Sequence, residues 1–157
     1  METPFYFYDF ESDYTNIDSV FVSVFDGSRV MGPYNNSGFS VRTKDLPEHQ
    51  YIKLKFDLYI HDSWEGNTNE MFLDEPDHDA WFIEFDPHKK VDIADKILFE
   101  TTFSNHLCVP AWCYSQSYPN YYPFENNART QAKSRNIAGR CLWSDTPTAT
   151  SVYSIEK

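Results

Sequence analysis

Between residues 51 and 60, Ile52, Leu54, Phe56, Leu58 and Ile60 alternate with Tyr51, Lys53, Lys55, Asp57 and Tyr59. Successive side chains of an extended chain point to opposite faces, so a period of two held for ten residues predicts a half-buried antiparallel strand. Shorter apolar runs flank it. Residues 5–10 are dense in aromatics and read as an opening strand. Residues 20–25 (VFVSVF) form a strand closed by the turn signal Asp26-Gly27-Ser28. A loop over 32–38 precedes a short strand at 39–42. Residues 80–86 put Trp81, Ile83 and Phe85 on one face, residues 89–95 read as a turn, and 97–103 as another strand. Residues 152–155 form a last strand. The only helical signals are single turns near 93–98 and 128–134.

After Phe103 the texture changes. Residues 104–139 are polar, aromatic and punctuated by proline, a length of irregular chain that inside one domain marks a functional insertion or a contact surface. The pattern predicts an all-β, antiparallel β-sandwich with a long irregular insertion near residues 104–140. A length of 157 residues suits one domain, 1–157, with one core. The 18% aromatic content supports β structure. The net charge of −11 argues against nucleic acid as a partner, since its phosphates would be repelled. No apolar run is long enough to predict a membrane span. The opening residues, Met1 to Pro4, carry no signal-peptide pattern and by themselves favour the cytosol. The rest of the sequence has an extracellular character, and an extracellular or cell-surface location is the expectation.

Candidate chemistry concentrates where the best strand ends. Asp62, Ser63, Trp64, Glu65, Gly66 and Asn67 make a tight, oxygen-rich corner, followed by Asp77 and Asp79. Calcium takes six to eight oxygens in flexible geometry, so scattered loop carboxylates can hold it. From the residues alone, a calcium loop built from Asp62, Glu65, Asn67, Asp77 and Asp79 and a solvated acidic loop are equally good readings. Asp9 and Glu11 are further oxygen donors.

Trp81 shares a face with Ile83 and Phe85 and reads as core, whereas Trp64 sits in the polar corner and could stack on a sugar. Glu84 and Asp86 resemble part of a glycosidase carboxylate pair, but Lys89 stands where a third carboxylate would be and Pro87 ends the strand. The five histidines lack zinc spacing, and no nucleophile elbow or phosphate loop is present. The expectation is a non-enzyme. Asn35-Asn36-Ser37 is the only N-glycosylation sequon and lies in a predicted loop. Residues 146–151 have the composition of an O-glycosylated stretch. Cys108, Cys113 and Cys141 are odd in number. Pro110 favours a turn that would close a Cys108–Cys113 disulfide, leaving Cys141 free or paired with another chain; three reduced thiols is the alternative.

An ordered set of short segments carries a resemblance. Tyr8-Asp9-Phe10-Glu11, Leu46-Pro47-x-His49, Lys55-Phe56-Asp57-Leu58-Tyr59 and the corner at 62–67 come first. Asp77-x-Asp79-Ala80-Trp81, Thr101-Thr102-Phe103-Ser104-Asn105 and Gln116-Ser117-Tyr118-Pro119 follow. The set resembles extracellular β-sandwich modules of bacterial, protist and algal surface proteins, including mastigoneme and polycystin-like proteins, loosely similar to MAM and laminin-G jelly rolls. It covers roughly residues 5–120. It departs from the family pattern at Glu75-Pro76-Asp77, where Gly-Pro-Asp is usual.

The resemblance implies a jelly-roll topology and tips the acidic corner toward calcium. Family members continue past the equivalent of Lys157 with closing strands, which implies that this sandwich lacks them. The expected function is therefore a structural subunit of a filament, appendage or surface layer, assembled by strand donation and ordered by calcium. The donor would be the segment 3–10. A carbohydrate-binding module is the alternative, with exposed aromatics stacking on glycans.

Overall fold

The computed structural model describes residues 7–11, 17–18, 20–43, 46–62, 64–67, 78–85, 97–105, 114–140 and 147–157. Among them every strand pairing is antiparallel and no helix occurs. The chain falls into two units, residues 1–53 and 54–157.

In the first unit, β1 (Ile17–Asp18) pairs with β4 (Ser40–Val41), and β2 (Val22–Phe25) pairs with β3 (Ser28–Met31). Asp26 and Gly27 connect β2 to β3 with φ of 49° and 81°. Positive φ at both central residues matches the right-handed twist of a two-residue hairpin, which is why Asp-Gly stands there. The Gly32 amide donates to Phe21 O at 2.7 Å and extends the pairing by one step. The opening strand expected at 5–10 forms no strand in its described part, residues 7–10. Phe10 sits at φ 60°, and Asp9 Oδ1 accepts the Glu11 amide at 3.0 Å. This side-chain bond to the backbone two residues on favours a turn over a strand.

The second unit holds a three-stranded sheet in the order β5-β9-β8: β5 (Lys55–His61), β9 (Pro147–Glu156), β8 (Ser134–Arg140). The β5 register places Phe56, Leu58 and Ile60 opposite Ile155, Tyr153 and Ser151, on one face. The predicted alternation holds from Phe56 onward, but Ile52 and Leu54 precede the strand and are 52% and 44% exposed. On the other face of the sheet, Lys55 Nζ lies 3.3 Å from Glu156 Oε2, and Lys133 Nζ lies 3.2 Å from Asp57 Oδ1. These exposed pairs contribute little to stability.

The strands β6 (Ala80–Glu84) and β7 (Ile97–Thr102) pair with each other, shifting register at Ile83/Glu84. Their inward residues Trp81, Ile83 and Phe99 join Phe103, Tyr118, Ile60, Tyr153 and Ile155 in one hydrophobic cluster. Trp81 is core, as its pattern predicts, and contacts Phe56, Phe99 and Phe103 with centroids 5.8, 6.4 and 6.1 Å away. Tyr153 and Phe103 are fully buried, 4.6 Å apart. Burying a side chain of this size contributes about 1.5–3 kcal/mol.

Further expectations need correction. First, the irregular stretch from 104 to 139 contains a strand, β8, and the helical turn expected at 128–134 is a run of tight turns. Arg129 and Gln131 adopt φ of 61° and 62° there, which no right-handed helix allows. Second, the last strand begins at Pro147, not Val152. Third, residues 147–151 of the Thr/Pro run form half of that strand. Thr150 and Ser151 are wholly buried, so neither can carry an O-linked sugar in the folded chain. Thr, Val, Tyr and Ile give β9 high strand propensity.

Candidate functional site

An irregular segment, residues 114–127, is fastened to the core by side-chain amides. Gln116 and Asn126 exchange backbone hydrogen bonds of 2.9 and 2.8 Å, which closes the segment into a loop. The Gln116 side chain is fully buried beneath it. Its Oε1 accepts from Ser104 N, Arg129 N and Tyr153 OH at 3.3, 2.8 and 3.1 Å. Its Nε2 donates to Tyr118 O and Thr130 O at 3.1 and 3.2 Å. One amide therefore ties together β9, the chain after β7 and both ends of the loop. Unpaired buried polar groups are costly, so each of these bonds specifies position.

Asn126 Nδ2 donates to Ser117 O and Asn120 Oδ1 at 2.8 and 3.1 Å. Asn105 Nδ2 donates to Ile60 O and Asp62 O at 2.9 and 3.0 Å, and Arg129 Nη2 donates to Asn105 O. Tyr118 OH donates to Ser154 O at 3.0 Å, and burial raises the pKa of this phenol.

The acidic corner is part of the same fastening. Gly66 adopts φ 69°, and a β-carbon there would lie 2.0 Å from Ser115 O, so no other residue fits without displacement. Asn67 N donates to Ser115 O at 2.9 Å. Asn67 Oδ1 accepts from the hydroxyls of Thr102 and Ser117, and its Nδ2 donates to Phe124 O at 2.8 Å. Asp79 Oδ2 accepts the Glu65 amide at 2.6 Å.

Of the five predicted metal ligands, Asp79 is thus brought to the backbone amide of Glu65. Asp62 lies at the end of the strand leading into the corner, with φ 63°. Asn67 is turned into the hydrogen-bond network, and Asp77 lies outside the described residues. No group of three or more His, Cys, Asp or Glu side chains converges among the described residues. Trp64 packs edge-on against Phe103, with centroids 6.3 Å apart.

Asn35 is exposed, on a bend between β3 and β4. Cys108, Cys113 and Cys141 lie outside the described residues. No helix among the described residues is long and apolar enough to cross a membrane.

The loop tip is aromatic and held on several sides. Phe124 N donates to Tyr121 O at 3.0 Å, closing a turn around Tyr122-Pro123. Tyr122 N donates to Glu100 O at 3.0 Å, and the Tyr122 ring stacks on His78 at 4.1 Å with 1° between planes. His78 Nε2 lies 3.7 Å from Glu100 Oε1. Tyr121 meets Phe99 edge to face at 4.9 Å. Tyr121 and Phe124 nevertheless remain 60% and 53% exposed.

Two more titratable groups belong to the sheet. His61 Nδ1 lies 2.9 Å from Thr150 Oγ1; burial lowers its pKa, against the opposing pull of Asp62. The Ser154 hydroxyl donates to Asp57 Oδ1, and this bond, with Lys133, lowers the Asp57 pKa against a smaller desolvation effect.

The sequence pattern does not single out Gln116, Asn105, Asn126 or Arg129 as centres of this network. Its signal is the alternation of Thr, Ser, Asn and Gln with aromatics in 101–105 and 114–120, where amides must be buried among rings. Compared with known proteins, the chain gives no significant match to a family model, a curated sequence or a solved structure.

Proposed function

We propose that the chain is a structural, non-catalytic extracellular module: a jelly-roll-like β-sandwich serving as a subunit of a filament, appendage or surface layer. The observation that carries this reading is the fixation of the 114–127 loop. Its amides are directed at backbone groups of the same unit, while its tip offers Tyr121 and Phe124 to solvent. Aromatic side chains on a rigid turn lose little conformational entropy on contact, which suits a permanent assembly surface.

In this reading neighbouring subunits also exchange a strand, with residues 3–10 as donor. β9 is already flanked by β5 and β8, so an incoming strand would join another edge. Calcium belongs to the same proposal. Asp62, Glu65 and Asp79 supply the hard oxygens it prefers and, with Asp77, would hold it, while Asn67 serves the loop. A bound ion would tie the end of β5 to the start of β6.

Sedimentation and electron microscopy of the purified protein test the proposal. Polymers that disappear on deletion of residues 1–10 are the expected result; a protein that stays monomeric at high concentration with calcium overturns it. The two exposed rings favour a second reading, a carbohydrate-binding module. Saturable glycan binding lost in Tyr121→Ala, by a protein that does not polymerise, would select it.

A further inference from the structure

Lys157 ends the pairing of β5 with β9. Its backbone N donates to Leu54 O at 2.9 Å, and its own carbonyl accepts the Leu54 amide. Its side chain does not run into solvent. Nζ sits 3.4 Å from the centroid of the Phe99 ring and 5.6 Å from that of Tyr121. The two rings meet at 74° with centroids 4.9 Å apart, so they form two walls of a corner. No carboxylate pairs with this ammonium among the described residues.

A partly desolvated ammonium without a carboxylate partner is held by ring quadrupoles, whose negative faces attract cations. We propose that the corner between Phe99 and Tyr121 is a binding site for an alkylammonium group, occupied in this structure by the protein's own Lys157.

Three features make the corner a site and not merely a packed lysine. Its walls are fixed independently of Lys157. Phe99 is in the core cluster, and Tyr121 opens a turn bonded to Glu100 and closed at Phe124. The plug can leave alone, because the Lys157 backbone is held by Leu54 and only the side chain must swing out. One wall faces solvent, since Tyr121 is 60% exposed while Phe99, under the seated ammonium, is 1% exposed, and a protein of net charge −11 draws cations toward it. The ligand class is a primary alkylammonium, the chemistry already seated there; a lysine side chain of a partner protein is one form of it.

The test uses n-butylammonium chloride as probe, with sodium chloride at matched ionic strength as control. Ring resonances of Phe99 and Tyr121 are followed by NMR in Lys157→Ala. A saturable shift of both rings is expected. The Phe99 shift should be absent in the Lys157→Ala/Tyr121→Ala double variant, and both shifts should be about tenfold weaker in the wild type, where a tethered ammonium at millimolar effective concentration competes. Shifts that do not saturate, that sodium reproduces, or that persist in the double variant would overturn the proposal. Lys157→Met supplies a second readout. It keeps the apolar stem but loses the charge, so its Tyr121 ring should be shifted from the wild-type position; a Met variant with wild-type ring shifts and wild-type melting temperature also overturns it.

Discussion

The phenol of Tyr153 donates a hydrogen bond to Gln116 Oε1 over 3.1 Å, and neither side chain is reached by solvent. Tyr153 lies in the middle of β9, and Gln116 begins the closed loop. The bond therefore joins the ten-residue strand β9 to the irregular loop of residues 114–127.

Replacing the two partners should have unequal effects. Tyr153→Phe removes one donor and leaves Gln116 Oε1 two others, so a loss of about 1 kcal/mol is expected. Gln116→Leu strands several buried groups at once and should cost at least about 3 kcal/mol. Urea unfolding measures both. The double variant should lose less than the sum, because the members of one network are coupled.

Gly66→Ala tests the corner. The residue combines φ 69° with no room for a β-carbon against Ser115 O. Strain and displacement together should cost about 2–4 kcal/mol. Thermal unfolding reads the loss, and hydrogen exchange should show the Asn67 amide, which bonds to Ser115 O, losing protection.

Stability should fall on acidification in two steps. Burial lowers the pKa of His61, so the folded state favours the neutral ring. Its contribution is complete above the ordinary value of 6.5 and is lost as pH falls through the lowered folded pKa. The pKa of Asp57 is lowered by Ser154 and Lys133, so its contribution is present above 3.8 and is lost at still lower pH. Asp57 is largely exposed, and its step should be the smaller one. Unfolding free energies across the acid range, in wild type and His61→Gln, check the first step: the variant should lack it.

Calcium removal is the direct check on the acidic corner. A ligand that binds only the folded state stabilises it, so excess chelator should lower the melting temperature and calcium should restore it. Asp79→Asn should reduce that restoration. Equal melting curves with and without chelator, and no metal by elemental analysis, would remove calcium from the reading.

Asn35 should carry an N-linked glycan when the protein is secreted by a eukaryotic cell, because its sequon is exposed on a bend. Mass spectrometry before and after glycosidase treatment decides it. Asn35→Gln should abolish the modification without changing the melting temperature of the unglycosylated protein.

Elements whose signal is local are legible in the residue pattern. The alternation from Phe56 to Ile60 specifies β5 and its buried face, because a one-residue slip would turn every apolar side chain outward. Asp26-Gly27 specifies the β2–β3 hairpin, because few residues accept positive φ at both positions. Trp81 and Ile83 mark the inward face of β6 by the same alternation, which does not extend to Phe85, outside the strand and 51% exposed.

Other features arise only from long-range packing. Residues 146–151 look like a mucin-type run, yet most of them lie in the central strand of a sheet, since threonine suits strands wherever partners are available on both sides. β8 has no apolar alternation of its own and is defined by its pairing with β9. The roles of Gln116, Asn126 and Asn67 depend on backbone carbonyls from distant parts of the chain. No spacing along a sequence records which carbonyls will be left without partners once the strands have formed.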